Sequence, residues 1–238
     1  MESAIILLTV ICYGLALFLW WHRRTPIYLF TLLAGHIGAL VSPIWSMLYL
    51  GSFAPELSML YQAGDLTLYK PVVIAAAWFY SLPVLAVFYL HRSHWWFSGY
   101  PAGLMTFAIF FFYHLLIEIV GVRLDIWNYT NAPALPFGIS PGLLSIVMAA
   151  LISLSLLYVL LLFSHYAWSS MIMAVLPAVL LLTILVRGLL GAPLWISILF
   201  KAETWAASIG MICTLGLLAW WLHITCWGLA RVDKQITV

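Results

Sequence analysis

Seven apolar runs of membrane-span length make up most of this chain, at approximately 3–21, 26–50, 71–90, 101–121, 142–163, 169–190 and 205–230. Inside hydrocarbon no water is at hand for backbone N–H and C=O groups, so a spanning segment must satisfy them internally, as a helix or as part of a closed barrel. About 20 residues are needed to cross roughly 30 Å as a helix, whereas a barrel strand needs about half that and alternates apolar with polar residues. The runs fit the helical requirement. They predict an all-α polytopic membrane protein, a seven-transmembrane-helix bundle forming one integral-membrane domain over residues 1–238. With 66% hydrophobic and 7% charged residues, against about 25% charged in soluble domains, no soluble fold could bury the apolar surface. The first run starts after Glu2 and is followed by Arg23 and Arg24, the reverse of a cleaved signal peptide, and is expected to be a retained helix.

A formal net charge of +2 and the absence of a basic arm predict no nucleic-acid partner. Arg23, Arg24, Arg92, Arg231 and Lys234 fall on one side of the seven-span arrangement, and Lys70, Arg123, Arg187 and Lys201 on the other. The acids Glu56, Asp65, Asp125 and Glu203 join the second side. Basic loops face the cytoplasm, so the N-terminus is expected outside and the C-terminus inside, in a bacterial cell membrane. Cys12, Cys213 and Cys226 lie in apolar runs without CxxC or His-paired spacing, and neither a disulfide framework nor a metal site is expected. Pro43, Pro83 and Pro177 fall inside predicted spans and should kink them.

The stretch from His114 to Pro141, HLLIEIVGVRLDIWNYTNAPALPFGISP, departs from this apolar background. Glu118 sits within a span, where a carboxylate costs about 2.5–3.5 kcal/mol at mid-helix and therefore faces a bundle interior or a wet cavity. If the helix continues through Asp125, the 3.6-residue period puts His114, Glu118, Gly121 and Asp125 on one stripe. A neutral carboxylic acid in an apolar cavity can donate a proton to a lipophilic substrate. His114, one turn earlier, would set its protonation, and Asp125 would serve as a second acid or base. The alternative is structural: Glu118 hydrogen-bonds a neighbouring helix, or pairs with Arg123 or Arg187. Trp127 and Tyr129, where the span leaves the membrane, are either a pocket rim or ordinary interfacial aromatics. Trp45 and Trp78 are candidates to line a cavity and shield a cation with their ring faces. His36 is a further candidate contact, with an interhelical hydrogen bond as the plainer reading. The loops 51–70 and 122–141 are long enough to cover a site on the side of Glu118.

Two stretches, GHIGALVSPIWSMLYLGSFAPELSMLY with KPVVIAAAWFYSLPVLAVFYL, and EIVGVRLDIWNYTNAPALPFGISP, resemble a group of bacterial multi-pass proteins. More distantly, the pattern of Glu118, Gly121, Trp127, Tyr129 and Pro141 is similar to membrane carotenoid-modifying enzymes and small seven-helix terpene cyclases. That resemblance implies an isoprenoid cyclase or hydratase that needs no cofactor and draws a lipophilic polyene from membrane lipid, with Glu118 as the acid. Related sequences place a glutamate before the second-span proline, where this chain has Ser42 before Pro43. A non-catalytic membrane subunit or lipid-binding scaffold with a membrane-protein partner is the competing expectation.

Overall fold

The computed structural model describes residues 2–49, 52–53, 59–63, 66–69, 74, 76–129, 135–164, 166, 168–200 and 204–236. The expected charges Glu56, Asp65, Lys70, Lys201 and Glu203 lie outside these residues or their described side chains. Among the described residues the chain is all-α apart from two short ladders. In order, α1 covers Glu2–Arg23, α2 Ile27–Ala39, α3 Ser42–Tyr49, α4 Trp78–Arg92, α5 Tyr100–Arg123, α6 Pro141–Phe163, α7 Trp168–Val175, α8 Ala178–Thr183, α9 Ala192–Leu199 and α10 Thr204–Ile236. A π-helical turn, Ile184–Leu190, continues α8. Strands β1 (Ser52–Phe53), β2 (Met59–Ala63), β3 (Leu66–Tyr69) and β4 (Trp127–Asn128) complete the described elements.

Among the described residues, five helical segments are long and apolar enough to cross a bilayer: Ile5–Arg23, Tyr100–Arg123, Pro141–Phe163, Ser170–Leu190 and Trp205–Val232. The chain is a membrane protein by that criterion, but the count is not the seven expected. The difference lies in the second and third runs. Residues 26–50 break at Leu40–Val41 because Pro43 has no N–H to continue the hydrogen-bond ladder, and α3 starts anew there. The third run yields α4, whose 15 residues reach only about 22 Å at 1.5 Å per residue. Pro177 separates α7 from α8 in the same way, whereas Pro83 remains inside α4.

Helix α6 is the hub: 72% of its most apolar window is buried, against 11% for α1. Its Leu144, Met148, Leu151, Ile152, Leu156 and Leu160 are nearly inaccessible. Around it, helices close on small residues, as expected where lipid removes the hydrophobic drive for helix association. On α2, a Cβ at Gly35 would stand 2.7 Å from the Ala77 carbonyl oxygen and 2.8 Å from Ser81 Oγ. That closeness lets Ser81 donate a 2.7 Å hydrogen bond to the Thr31 carbonyl. One turn on, Gly38 abuts Val179 of α8.

The loops meet at opposite ends of the bundle. At one end β1 pairs antiparallel with β4, Ser52 opposite Asn128 and Phe53 opposite Trp127. At the other, Arg23 donates from Nη2 to Ser93 Oγ at 3.3 Å. Replacement of Gly38 by leucine is expected to cost about 1–3 kcal/mol through overpacking and to lower the melting temperature in detergent. Gly14→Ala, at a position with nothing within 4 Å of an added Cβ, serves as the neutral comparison in the same thermal scan.

Candidate functional site

Helix α5 does not continue through Asp125. It ends at Arg123 in a Schellman turn: Ile126 N–H donates to the Gly121 carbonyl at 2.9 Å and Asp125 N–H to the Val122 carbonyl at 3.1 Å, with Asp125 left-handed at φ 54°. Asp and Asn tolerate that conformation better than most side chains, which makes Asp125 a turn former. The expected stripe is thereby broken, and Asp125 is exposed rather than aligned with Glu118.

The reversal instead folds the next residues back over the helix. The Trp127 ring occupies the space where a Cβ on Gly121 would stand, so the glycine is what admits the indole. From α6, Gly142 leaves similar room: its Cβ would lie 2.9 Å from Glu118 Oε1 and 3.4 Å from Tyr129 Cε2. Glu118 is therefore enclosed by Trp127, Tyr129 and the start of α6. Its Oε1 is buried without a hydrogen-bond partner, as is the Trp127 indole N–H. The indole approaches the carboxyl group, and Tyr129 interacts with both Glu118 and Ser145. Burial pushes the Tyr129 phenol above its ordinary range, and the adjacent Glu118 carboxyl adds to the rise. Its hydroxyl stays protonated and available as a donor at neutral pH.

His114 has a different setting. It is 3% exposed, and its Nε2 lies 2.9 Å from Ser153 Oγ. Ser153 gives its one hydroxyl proton to the Tyr80 carbonyl at 3.2 Å, which leaves His114 Nε2 as the donor in the first bond. The imidazole is further held by Phe79 and Tyr80, with ring centroids at 6.0 and 5.8 Å.

Arg187 is the main addition to the site. It rides on the π turn, a feature frequent at functional positions, and its Nη2 donates to Ser145 Oγ at 3.3 Å. It interacts with the Tyr80 hydroxyl and lies within electrostatic reach of Glu118. Its Nε–H is buried without a partner. The π turn owes its shape to nearby side chains. In this register the Gly188 carbonyl would be taken by the N–H of residue 193, a proline that has none; Trp195 Nε1–H donates to it instead at 2.8 Å. Tyr49 O–H donates to the Arg187 carbonyl at 2.6 Å, and Gly191 permits this, because a Cβ there would stand 2.6 Å from that carbonyl and collide with the Tyr49 hydroxyl.

Of the other expected residues, Trp45 is buried against Gly188 at 3.2 Å from where its Cβ would be, and its indole N–H has no partner. Trp78 is buried in the core, also with an unpartnered N–H. His36 belongs to the α1–α2 contact, its Nδ1 2.8 Å from the Leu32 carbonyl and 3.5 Å from the Tyr13 hydroxyl. Among the described residues, no three His, Cys, Asp or Glu side chains converge as metal ligands. Arg187 was read only as a possible partner of Glu118, although an arginine inside an apolar run raises the same energetic question.

Tyr49→Phe removes the donor to a buried carbonyl and is expected to cost about 1–2 kcal/mol, seen as a lower melting temperature in detergent. An unchanged transition would mean that the π turn does not depend on that bond. No family model, curated protein or solved structure matches the chain.

Proposed function

We propose that the chain is a membrane-embedded isoprenoid cyclase or hydratase that acts by protonating a lipophilic polyene. The observation that carries this reading is the Glu118 carboxyl group, enclosed by aromatic side chains with its Oε1 unpartnered. Glu118 gives its proton to an alkene carbon, leaving a carbocation and a carboxylate. A second alkene closes a ring on the cation, or water adds to it, and the proton then lost returns to the carboxylate. Aromatic faces such as that of Trp127 stabilise the cation by cation–π attraction. The exposed position of Asp125 favours Glu118 itself as the proton's return point. His114 supports the site through the Ser153 bond, and Tyr129 orients the acid. Trp45, Trp78 and His36 stay assigned to substrate contact on sequence grounds alone.

Extracts from cells expressing the wild-type chain or Glu118→Gln, offered candidate prenylated substrates and compared by mass spectrometry, test the reading. Loss of a specific product in the variant is expected. Equal product in both removes Glu118 from the acid role.

A second reading, a non-catalytic membrane subunit or lipid-binding scaffold, is favoured by the bonds that tie His114 and Arg187 to neighbouring helices. Under it, Glu118→Gln lowers thermal stability or co-purification of a partner, and no product disappears.

The proposed arrangement crosses the membrane seven times, with α2–α3 and the α4 segment each completing a broken crossing. The N-terminus lies outside and the C-terminus in the cytoplasm. Reporters fused after Arg92 and after Val238 should both give cytoplasmic signals, and a cytoplasmic signal from residues 51–70 would invert the topology.

A further inference from the structure

The end of the bundle opposite Glu118 gathers Arg23 and Arg24 from the α1–α2 turn and Arg92 from the α4–α5 turn, and the Arg23–Ser93 bond joins the two turns. Each guanidinium is held against an aromatic ring: Arg23 lies 5.0 Å from the Tyr89 centroid, Arg24 5.8 Å from Trp21 and Arg92 6.0 Å from Phe88. Such support lowers the ordering entropy that a ligand would otherwise have to overcome. Both turns pass through a left-handed cationic or imidazole residue, Arg24 at φ 54° and His94 at φ 57°, and both side chains are exposed. With Arg231 near the end of α10, four arginines gather at this end among the described side chains.

Trp21, Trp95 and Phe97 are 78%, 82% and 64% exposed here, the placement of interfacial aromatics. Beside them a small apolar groove is lined by Trp96, Phe97, Ala102, Leu157, Leu161 and Leu229, with His91 also in its wall. Cations, interfacial aromatics and a small apolar groove beside them match the sequence of groups at the head of a phospholipid.

We propose that this end of the bundle binds an anionic glycerophospholipid, with its phosphate among Arg23, Arg24 and Arg92 and the upper part of one acyl chain along the groove. A zwitterionic lipid fits less well, because the surplus of cations offers its quaternary ammonium little compensation. A soluble phosphate compound would leave the groove and the exposed indoles without a role.

The test uses the full-length protein purified in mild detergent, with its melting temperature followed as lipid is added. Phosphatidylglycerol should raise the transition by several degrees in a saturable way, while phosphatidylcholine and inorganic phosphate should not. Removal of the two phosphate-facing arginines that make no cross-turn bond, in Arg24→Gln/Arg92→Gln, should weaken the apparent phosphatidylglycerol affinity about 25-fold, taking about fivefold per cation near a lipid surface. The lipid-free melting temperature of that variant should fall by no more than the loss of two exposed cation–π contacts, because neither guanidinium makes the cross-turn bond. Arg231→Gln, whose cation stacks on Trp227, should reduce the response by no more than the fivefold of a single cation. Equal stabilisation by phosphatidylcholine, an equal effect of inorganic phosphate, or an undiminished response in the double variant would each overturn the proposal.

Discussion

A backbone carbonyl inside a bilayer must find its donor within the protein, and the π turn around Arg187 shows how much of this structure follows from that requirement. Pro193 leaves the Gly188 carbonyl without its helical donor, and the Trp195 indole answers it, while the adjacent Arg187 carbonyl takes the Tyr49 hydroxyl. Tyr49 reaches its carbonyl because residue 191 has no side chain. Two adjacent carbonyls thus tie the π turn to the following helix α9 and to the distant α3. Arg187 is presented toward Ser145 and Tyr80 by the same arrangement. The hydrogen bonds that repair the helix also aim its one charged side chain inward.

Glycines do comparable work at the other site residues, by absence of volume. Gly121 admits Trp127, and Gly142 admits Glu118 and Tyr129. The enclosure of the carboxyl group thus depends on two positions that carry no chemistry. Charge placement follows the same economy: Glu118 and Arg187 lie on facing elements, where serine and tyrosine hydroxyls intervene, so neither intramembrane charge is left in lipid, where it would be most costly.

The helical, membrane-spanning character was legible because long apolar runs leave few alternatives, and Glu118 stood out as a carboxylate within one of them. The stripe through Asp125 was not legible, because periodicity assumes that the helix continues, whereas it ends at Arg123, two residues short of the left-handed Asp125. The number of full-length helices was also misjudged. Hydropathy integrates over a window and does not register that Pro43 divides the second run, or that the third yields a helix of only 15 residues. Gly142 and Tyr49 escaped notice for another reason: their roles exist only once distant elements are brought together, and one sequence holds no record of that pairing. The enclosure of Glu118 by Trp127 came from a tight turn whose backbone bonds, Ile126 to Gly121 and Asp125 to Val122, belong to the local chain but not to any hydrophobic pattern.

The burial of α6 bears on how the protein is made. Synthesis runs from the N-terminus, so α1 to α5 all leave the ribosome before the helix on which α4 and α5 pack. Until α6 arrives, Ser81 can already bond α2, but Tyr80, His114 and the α5 face lack the wall that Ser153 and its neighbours provide. The early helices therefore wait in the bilayer as a partial assembly with polar side chains unpaired. The insertion machinery has to shelter that half-built intermediate until the central helix enters.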